Sequence, residues 1–300
     1  MSEQSTPPTG LRTGIYDLGY RAYEGRRLGR GYAITSLFWY SARAVFGLGR
    51  GWVAKLFSMG LAVIALIPAL VQLAIAAIIP AEFEYASYEN YFGFVGLVLA
   101  LFCAVTAPEV VGRDQRNQTL ALYFSRALSR ADYVTAKVAA LLFGLLIVQL
   151  IPQLLLLSGN AVATEEVVDY LSENLDEIPP ILASAFIIAT MMSSVSLAIA
   201  SQTARRYWAS GAVVIYFVIA TALGAILRET IASSDGDYAL LISPLHVLEG
   251  TVYRVFASTP EVGSDIYNIS VDGIYFFAAA VGYSLLGLGV LYRRFLRMRI

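Results

Sequence analysis

Six stretches of this chain contain no Asp, Glu, Lys or Arg: Leu56 to Ala81, Asn90 to Pro108, Val138 to Thr164, Ile178 to Ala204, Tyr207 to Leu227, and Gly273 to Tyr292. Each reaches the ~17–25 residues that a helix needs to cross a bilayer. A water-soluble domain has no use for six such intervals. With a mean hydropathy of +0.65 and only 14% charged residues, the chain reads as an all-α polytopic membrane protein. The spans are placed at about 56–81, 91–107, 134–158, 179–203, 208–227 and 273–292, within a transmembrane domain covering residues 53–300.

The charges between these intervals are sorted by side. Nineteen of the 21 Lys and Arg residues fall in the N-terminal segment, the 106–137 interval, Arg205–Arg206 and the C-terminus; only Arg228 and Arg254 fall on the other side. Sixteen of the 22 acidic residues lie opposite, so the near-zero net charge conceals a transverse asymmetry. The excess of positive charge places both termini in the cytoplasm.

Residues 1–52 form a cytoplasmic N-terminal segment. Within it Ser36 to Trp52 reads as an interfacial helix anchored by Phe38, Trp39, Tyr40 and Trp52, or as the first turns of a long tilted span. Arg43 and Arg50, seven apart, share one face, which favours the interface. Before the last span, Leu245, Leu248, Val252 and Phe256 recur at three-four spacing in the longest external segment, predicting a short amphipathic helix or a re-entrant pair leaning on the outer leaflet. An ordinary surface loop is the alternative.

The interval 106–137 is the longest polar one between spans on the basic side. Thr106 with Glu109 fits a capping box and Pro108 a first-turn proline, predicting a helix break there. Glu109 stands four residues before Arg113. Ser129 with Asp132 repeats the capping box ahead of the third span. Between them, a short helix capped by Asn117 would put Leu120, Tyr123, Phe124, Ala127 and Leu128 on one face. It docks a protein or rests on lipid headgroups.

Catalytic chemistry has little to stand on. Lys55 and Lys137 each follow alanine, so no P-loop exists. The single Cys103 and single His246 leave no cysteine-rich or multi-histidine metal site, and no nucleophile–base pair is visible. The charge-free spans offer no coupling-ion site. Gln149 and Gln153, flanking Pro152 on one face of the third span, either line a pathway or make interhelical hydrogen bonds.

The sequence PEVVGRDQRNQTLALYFSRALSRADYVTAKVAALL resembles the segment between the second and third spans of ABC-2 type ABC transporter permeases, close to LALY-SRPLSR-DY---K. The matching positions are Leu120, Ala121, Leu122, Tyr123, Ser125, Arg126, Leu128, Ser129, Arg130, Asp132, Tyr133 and Lys137, with Ala127 where many relatives carry proline. The resemblance implies a permease subunit of the plasma (inner) membrane of a prokaryote. It implies that the 106–137 segment couples to a separate ABC ATPase, which binds ATP and Mg2+, through Glu109, Arg113, Asp114, Arg116, Tyr123, Arg126, Arg130 and Tyr133. A second permease subunit, identical or homologous, would complete the pathway, with membrane lipid around it and no role for nucleic acid. The resemblance is silent on the substrate; the apolar, uncharged spans favour a hydrophobic or amphiphilic one, with export as the expected direction. A membrane scaffold or sensor recruiting a cytosolic partner is the alternative.

Overall fold

The computed structural model describes residues 25, 28–49, 51–78, 87–125, 128–163, 170, 172, 174–231, 234–260, 262–267 and 269–298, which contain helices and no strand. Six helical stretches are long and apolar enough to cross a membrane: Trp52–Ile75, Tyr88–Arg116, Arg130–Val162, Leu175–Ala200, Arg206–Thr230 and Gly273–Arg297. Each of the six expected spans coincides with one of these helices. Several run past the charge-free intervals into the flanking polar residues, because helix geometry continues where hydropathy stops.

The first long helix, α1 (Arg30–Val45), begins earlier and ends sooner than the helix expected over 36–52. Its arrest is built into the turn that follows. Gly47 has φ +69° and lies so close to the next helix that a Cβ there would sit 2.8 Å from the Ala54 carbonyl oxygen. Helix α1 runs alongside the first half of the third span. Arg30 grips Asp132 with two bonds of 2.8 and 2.7 Å, Phe38 meets Phe143 edge-on, and Val45 fills the space beside Gly144. Arg43 is exposed; Arg50 lies outside the described residues.

The first span consists of two pieces, α2 (Trp52–Ile64) and α3 (Ile67–Ile78). Pro68 has no N–H to give to the Ile64 carbonyl, and the ladder parts there. The second span starts as α4 (Tyr88–Ala107). The break expected at Thr106 does not occur. Thr106 spends its hydroxyl on the Phe102 carbonyl of its own helix, at 2.7 Å. Pro108 is absorbed by a wider π turn over Pro108–Gly112, and the helix continues as α5 (Arg113–Arg116). After a turn comes α6 (Leu120–Phe124). Asn117 closes α5 rather than capping α6, which follows Thr119 without a side-chain cap.

The Ser129–Asp132 capping box forms as expected: the Ser129 N–H donates to Asp132 at 2.9 Å and the Asp132 N–H to the Ser129 hydroxyl at 3.2 Å. It opens α7 (Arg130–Ala163), whose 34 residues exceed what a bilayer core demands. Pro152 lies within α7 and leaves the Val148 carbonyl without its helical donor. The Tyr91 hydroxyl approaches that carbonyl at 3.5 Å from α4.

Helix α8 (Ile178–Ala200) is the centre of the bundle, packed against α4 and α7 and most extensively against the last helix. Its Ser193 and Ser194, and Ser201 just past its end, turn their hydroxyls back onto carbonyls one turn earlier, which lets polar residues sit in an apolar core. Next come α9 (Arg206–Thr230), a 3-10 run over Ser234–Ile242, α10 (Pro244–Phe256) and α11 (Gly273–Arg297). Gly287 of α11 faces the backbone of Ser194, where a Cβ would stand 2.7 Å from the carbonyl carbon. Glycine is needed there for contact, not for a turn.

The amphipathic helix expected at Leu245–Phe256 is α10. Ser243 caps it by accepting the His246 N–H at 3.2 Å, and Val247, Leu248 and Val252 are buried against the bundle at its acidic end. It packs on α4, α8, α9 and α11, so it is part of the core.

Candidate functional site

The polar segment between the second and third spans is held at the basic end of the bundle by buried charges. Carried by the π turn, Asp114 on α5 points into the protein, where its carboxylate meets the Lys137 ammonium at 2.7 Å and accepts the Tyr133 hydroxyl at 2.8 Å. Lys137 is only 2% exposed. Its ammonium also lies 5.3 Å from the Tyr133 ring centre and 5.9 Å from that of Tyr40 on α1. A charge this far from water requires both a counter-ion and polarisable walls, and here it has them.

A second clamp joins the segment to α9. Within the π turn, Glu109 places one carboxylate oxygen 2.8 Å from Arg206 and the other 3.8 Å from Arg116. The Gln115 amide donates to the Ser201 carbonyl at 3.2 Å, tying α5 to the end of α8. The four-residue pairing expected between Glu109 and Arg113 does not form. Arg206 takes Glu109, and Arg113 lies over the Tyr40 ring at 5.9 Å.

Helix α6 closes over this buried pair. Tyr123 and Phe124 pack against the Tyr133 ring at 5.9 and 5.7 Å, and Phe295 of α11 joins at 5.2 Å. Burial, with the Asp114 charge and Tyr40 close by, pushes the Tyr123 phenol up to about 12. Arg130 sits over Phe124 and donates to the Leu296 carbonyl at 2.6 Å; Arg294 reaches Gln202 at 3.1 Å. The segment is therefore linked to α1, α7, α8, α9 and α11.

The outer surface of the segment has a different character. Arg116, Asn117, Gln118, Ala121, Leu122 and Ser125 are exposed, Leu122 to 64%. Among the described residues this surface combines an apolar side chain with amides, a hydroxyl and a guanidinium.

Of the residues expected to meet a partner, Glu109, Asp114 and Tyr133 are instead buried at 2, 4 and 0% exposure. They brace the segment from inside. Arg113, Tyr123 and Arg130 are half-buried, Arg116 is exposed, and Arg126 lies outside the described residues. Lys137, Tyr40, Gln115 and Arg206 complete the bracing. A signal for Lys137 was present in the sequence, since it follows Tyr133 by one helical turn.

Gln149 and Gln153 are both buried within the chain. Gln149 donates to the Leu145 carbonyl at 3.1 Å, and Gln153 to the Tyr88 carbonyl at 2.9 Å across the α4–α7 contact. The carbonyl freed by Pro152 is approached by Tyr91. At the acidic end His246 is paired with Asp265 at 2.9 Å. No group of three or more potential metal ligands occurs among the described residues.

No protein-family model matches the sequence, and no curated protein matches it significantly.

Proposed function

We propose that this chain is the permease subunit of an ABC transporter of the ABC-2 type, coupling ATP hydrolysis by a separate ATPase to movement of a hydrophobic or amphiphilic substrate. The observation that carries the reading is the two-sidedness of the 106–137 segment. Its inner side is fastened by Asp114–Lys137 and Glu109–Arg206 to two spans, while its outer side leaves Leu122 and a polar rim uncovered. Such a segment passes a displacement at its outer face to the spans, whereas a loop lying loosely on lipid would absorb it.

The segment resemblance and the charge asymmetry support the same reading. With the basic end cytoplasmic, the exposed face of α5 and α6 meets a cytosolic ATPase that supplies ATP and Mg2+ binding, and α1 lies near the inner interface. Export from the plasma membrane of a prokaryote is the activity that the resemblance favours. A second permease subunit, identical or homologous, supplies the other half of the pathway.

The test is co-purification from membranes in mild detergent of the native chain and of Leu122→Asp, with the bound proteins identified and ATPase activity assayed. Leu122 is mostly solvent-facing, so the substitution disturbs no core. An ABC ATPase retained by the native chain and lost from Leu122→Asp upholds the reading. A native chain that carries no ATPase overturns it.

A further inference from the structure

At the acidic end, the C-terminal turn of α10 and the loop after it enclose a cavity of about 380 Å³ against the start of α11. Three features of its wall point to one kind of occupant. Ile266, Ile269, Val271 and Phe276 supply an apolar floor. Arg254 lies at the edge with its side chain packed against Gly273. Among the described residues its guanidinium has no carboxylate partner, although this end of the protein is rich in acid. Arg228, the other cation of that side, is already committed to Asp237 at 3.1 Å and to the Asp265 carbonyl.

The third feature is Ser258, whose hydroxyl oxygen is buried in the wall with no hydrogen-bond partner. It is placed there by a Schellman closure of α10: the Ser258 N–H donates to the Tyr253 carbonyl at 3.1 Å, and the Ala257 N–H to Arg254 at 3.4 Å. Two helix-end carbonyls are thereby engaged. A cation in the last turn suits the helix dipole. That accounts for an arginine, but not for an unsatisfied hydroxyl in the same wall.

We propose that this cavity binds an anionic amphiphile, with a carboxylate or phosphate headgroup held by Arg254 and Ser258 and the proximal part of its chain on Ile266, Ile269 and Phe276. The volume suits a headgroup and a few methylenes rather than a whole lipid. Ile274 and Tyr275, each about half exposed at the start of α11, offer the rest of the chain an apolar exit. The inference is independent of the ATPase-docking reading.

The experiment uses the full chain in phosphatidylcholine nanodiscs with a diazirine-bearing palmitate as photoprobe, the labelled peptides being identified by mass spectrometry. Labelling should concentrate within residues 250–276, fall roughly tenfold in Arg254→Gln and persist in Arg254→Lys, as expected for loss of a charge-assisted bond. Competition by free palmitate but not by phosphatidylglycerol in the disc identifies a soluble amphiphile as the ligand; competition by both identifies a lipid headgroup. Labelling that is unchanged in Arg254→Gln, or that falls outside 250–276, overturns the proposal. Should Arg254→Gln fail to fold, displacement of the probe from the native chain decides. Dodecyl phosphate should displace it at least about tenfold better than uncharged dodecyl maltoside, and equal displacement overturns the proposal.

Discussion

The Lys137 ammonium and the Asp114 carboxylate meet at 2.7 Å in a place from which water is almost absent. Removing one partner strands the other. Lys137→Met or Asp114→Leu alone should cost about 3–5 kcal/mol, while the double substitution should be milder than either because no unpaired charge remains. Thermal unfolding of all three variants in the same detergent checks this.

The Tyr91 hydroxyl matters because of Pro152. Tyr91→Phe should destabilise the native protein by about 0.6 kcal/mol, the usual worth of an interhelical hydrogen bond in a membrane. In a Pro152→Ala background the Val148 carbonyl regains a helical donor, and Tyr91→Phe should become nearly silent. A double-mutant cycle on unfolding midpoints gives the coupling directly.

Gly287 sets the distance between α8 and α11. A Cβ there would stand 2.7 Å from a backbone atom of Ser194, which cannot move aside as a flexible side chain would. Gly287→Ala should destabilise by about 1–3 kcal/mol, as overpacking does, and Gly289→Ala, where nothing lies within 4 Å of the added carbon, should be tolerated. Comparing the two in one thermal assay separates close packing from helix propensity.

Ala257 ends α10 with φ +51°, a conformation suited to glycine. Ala257→Gly should stabilise the protein by roughly 0.5–1 kcal/mol, since relief of left-handed strain exceeds the added freedom of the unfolded chain. A raised unfolding midpoint is the expected result.

The acidic end should loosen in acid through Asp237. Burial works against its charged form, but the Ser270 N–H and hydroxyl and the Arg228 guanidinium outweigh that and hold the carboxyl below its ordinary range. The folded state thus binds this proton less readily than the unfolded one. Its stabilising contribution is complete above the ordinary carboxylate value of about 3.9 and is lost as pH falls through the depressed one. Asp237→Asn should flatten this part of the profile, measured as the unfolding midpoint between pH 7 and pH 3.

Six spans were legible because each is a run without charge, a property that needs no knowledge of neighbours. The Ser129–Asp132 cap and the α10 periodicity were legible for the same reason: their partners lie within one or two turns. Thr106 and Glu109 misled because their spacing matched a cap while both side chains were claimed elsewhere, one by its own helix and the other by Arg206, 97 positions away. Asp114 and Tyr133 carried the polarity of a surface but are sealed by Tyr40, Lys137 and Phe295, contributed by α1, α7 and α11. His246 appeared isolated because Asp265 reaches it only after the loop folds back.

The wide turn at Pro108–Gly112 amounts to one surplus residue in the backbone. In a helix one residue is about 100° of rotation. Without the surplus, the continuation of α4 would turn Asp114 away from Lys137 and Gln115 away from Ser201 together. Deleting a single valine there changes the phase of everything after it, while replacing that valine changes one side chain. The alignment of this end of the molecule is thus kept in the length of the chain rather than in the identity of any one residue.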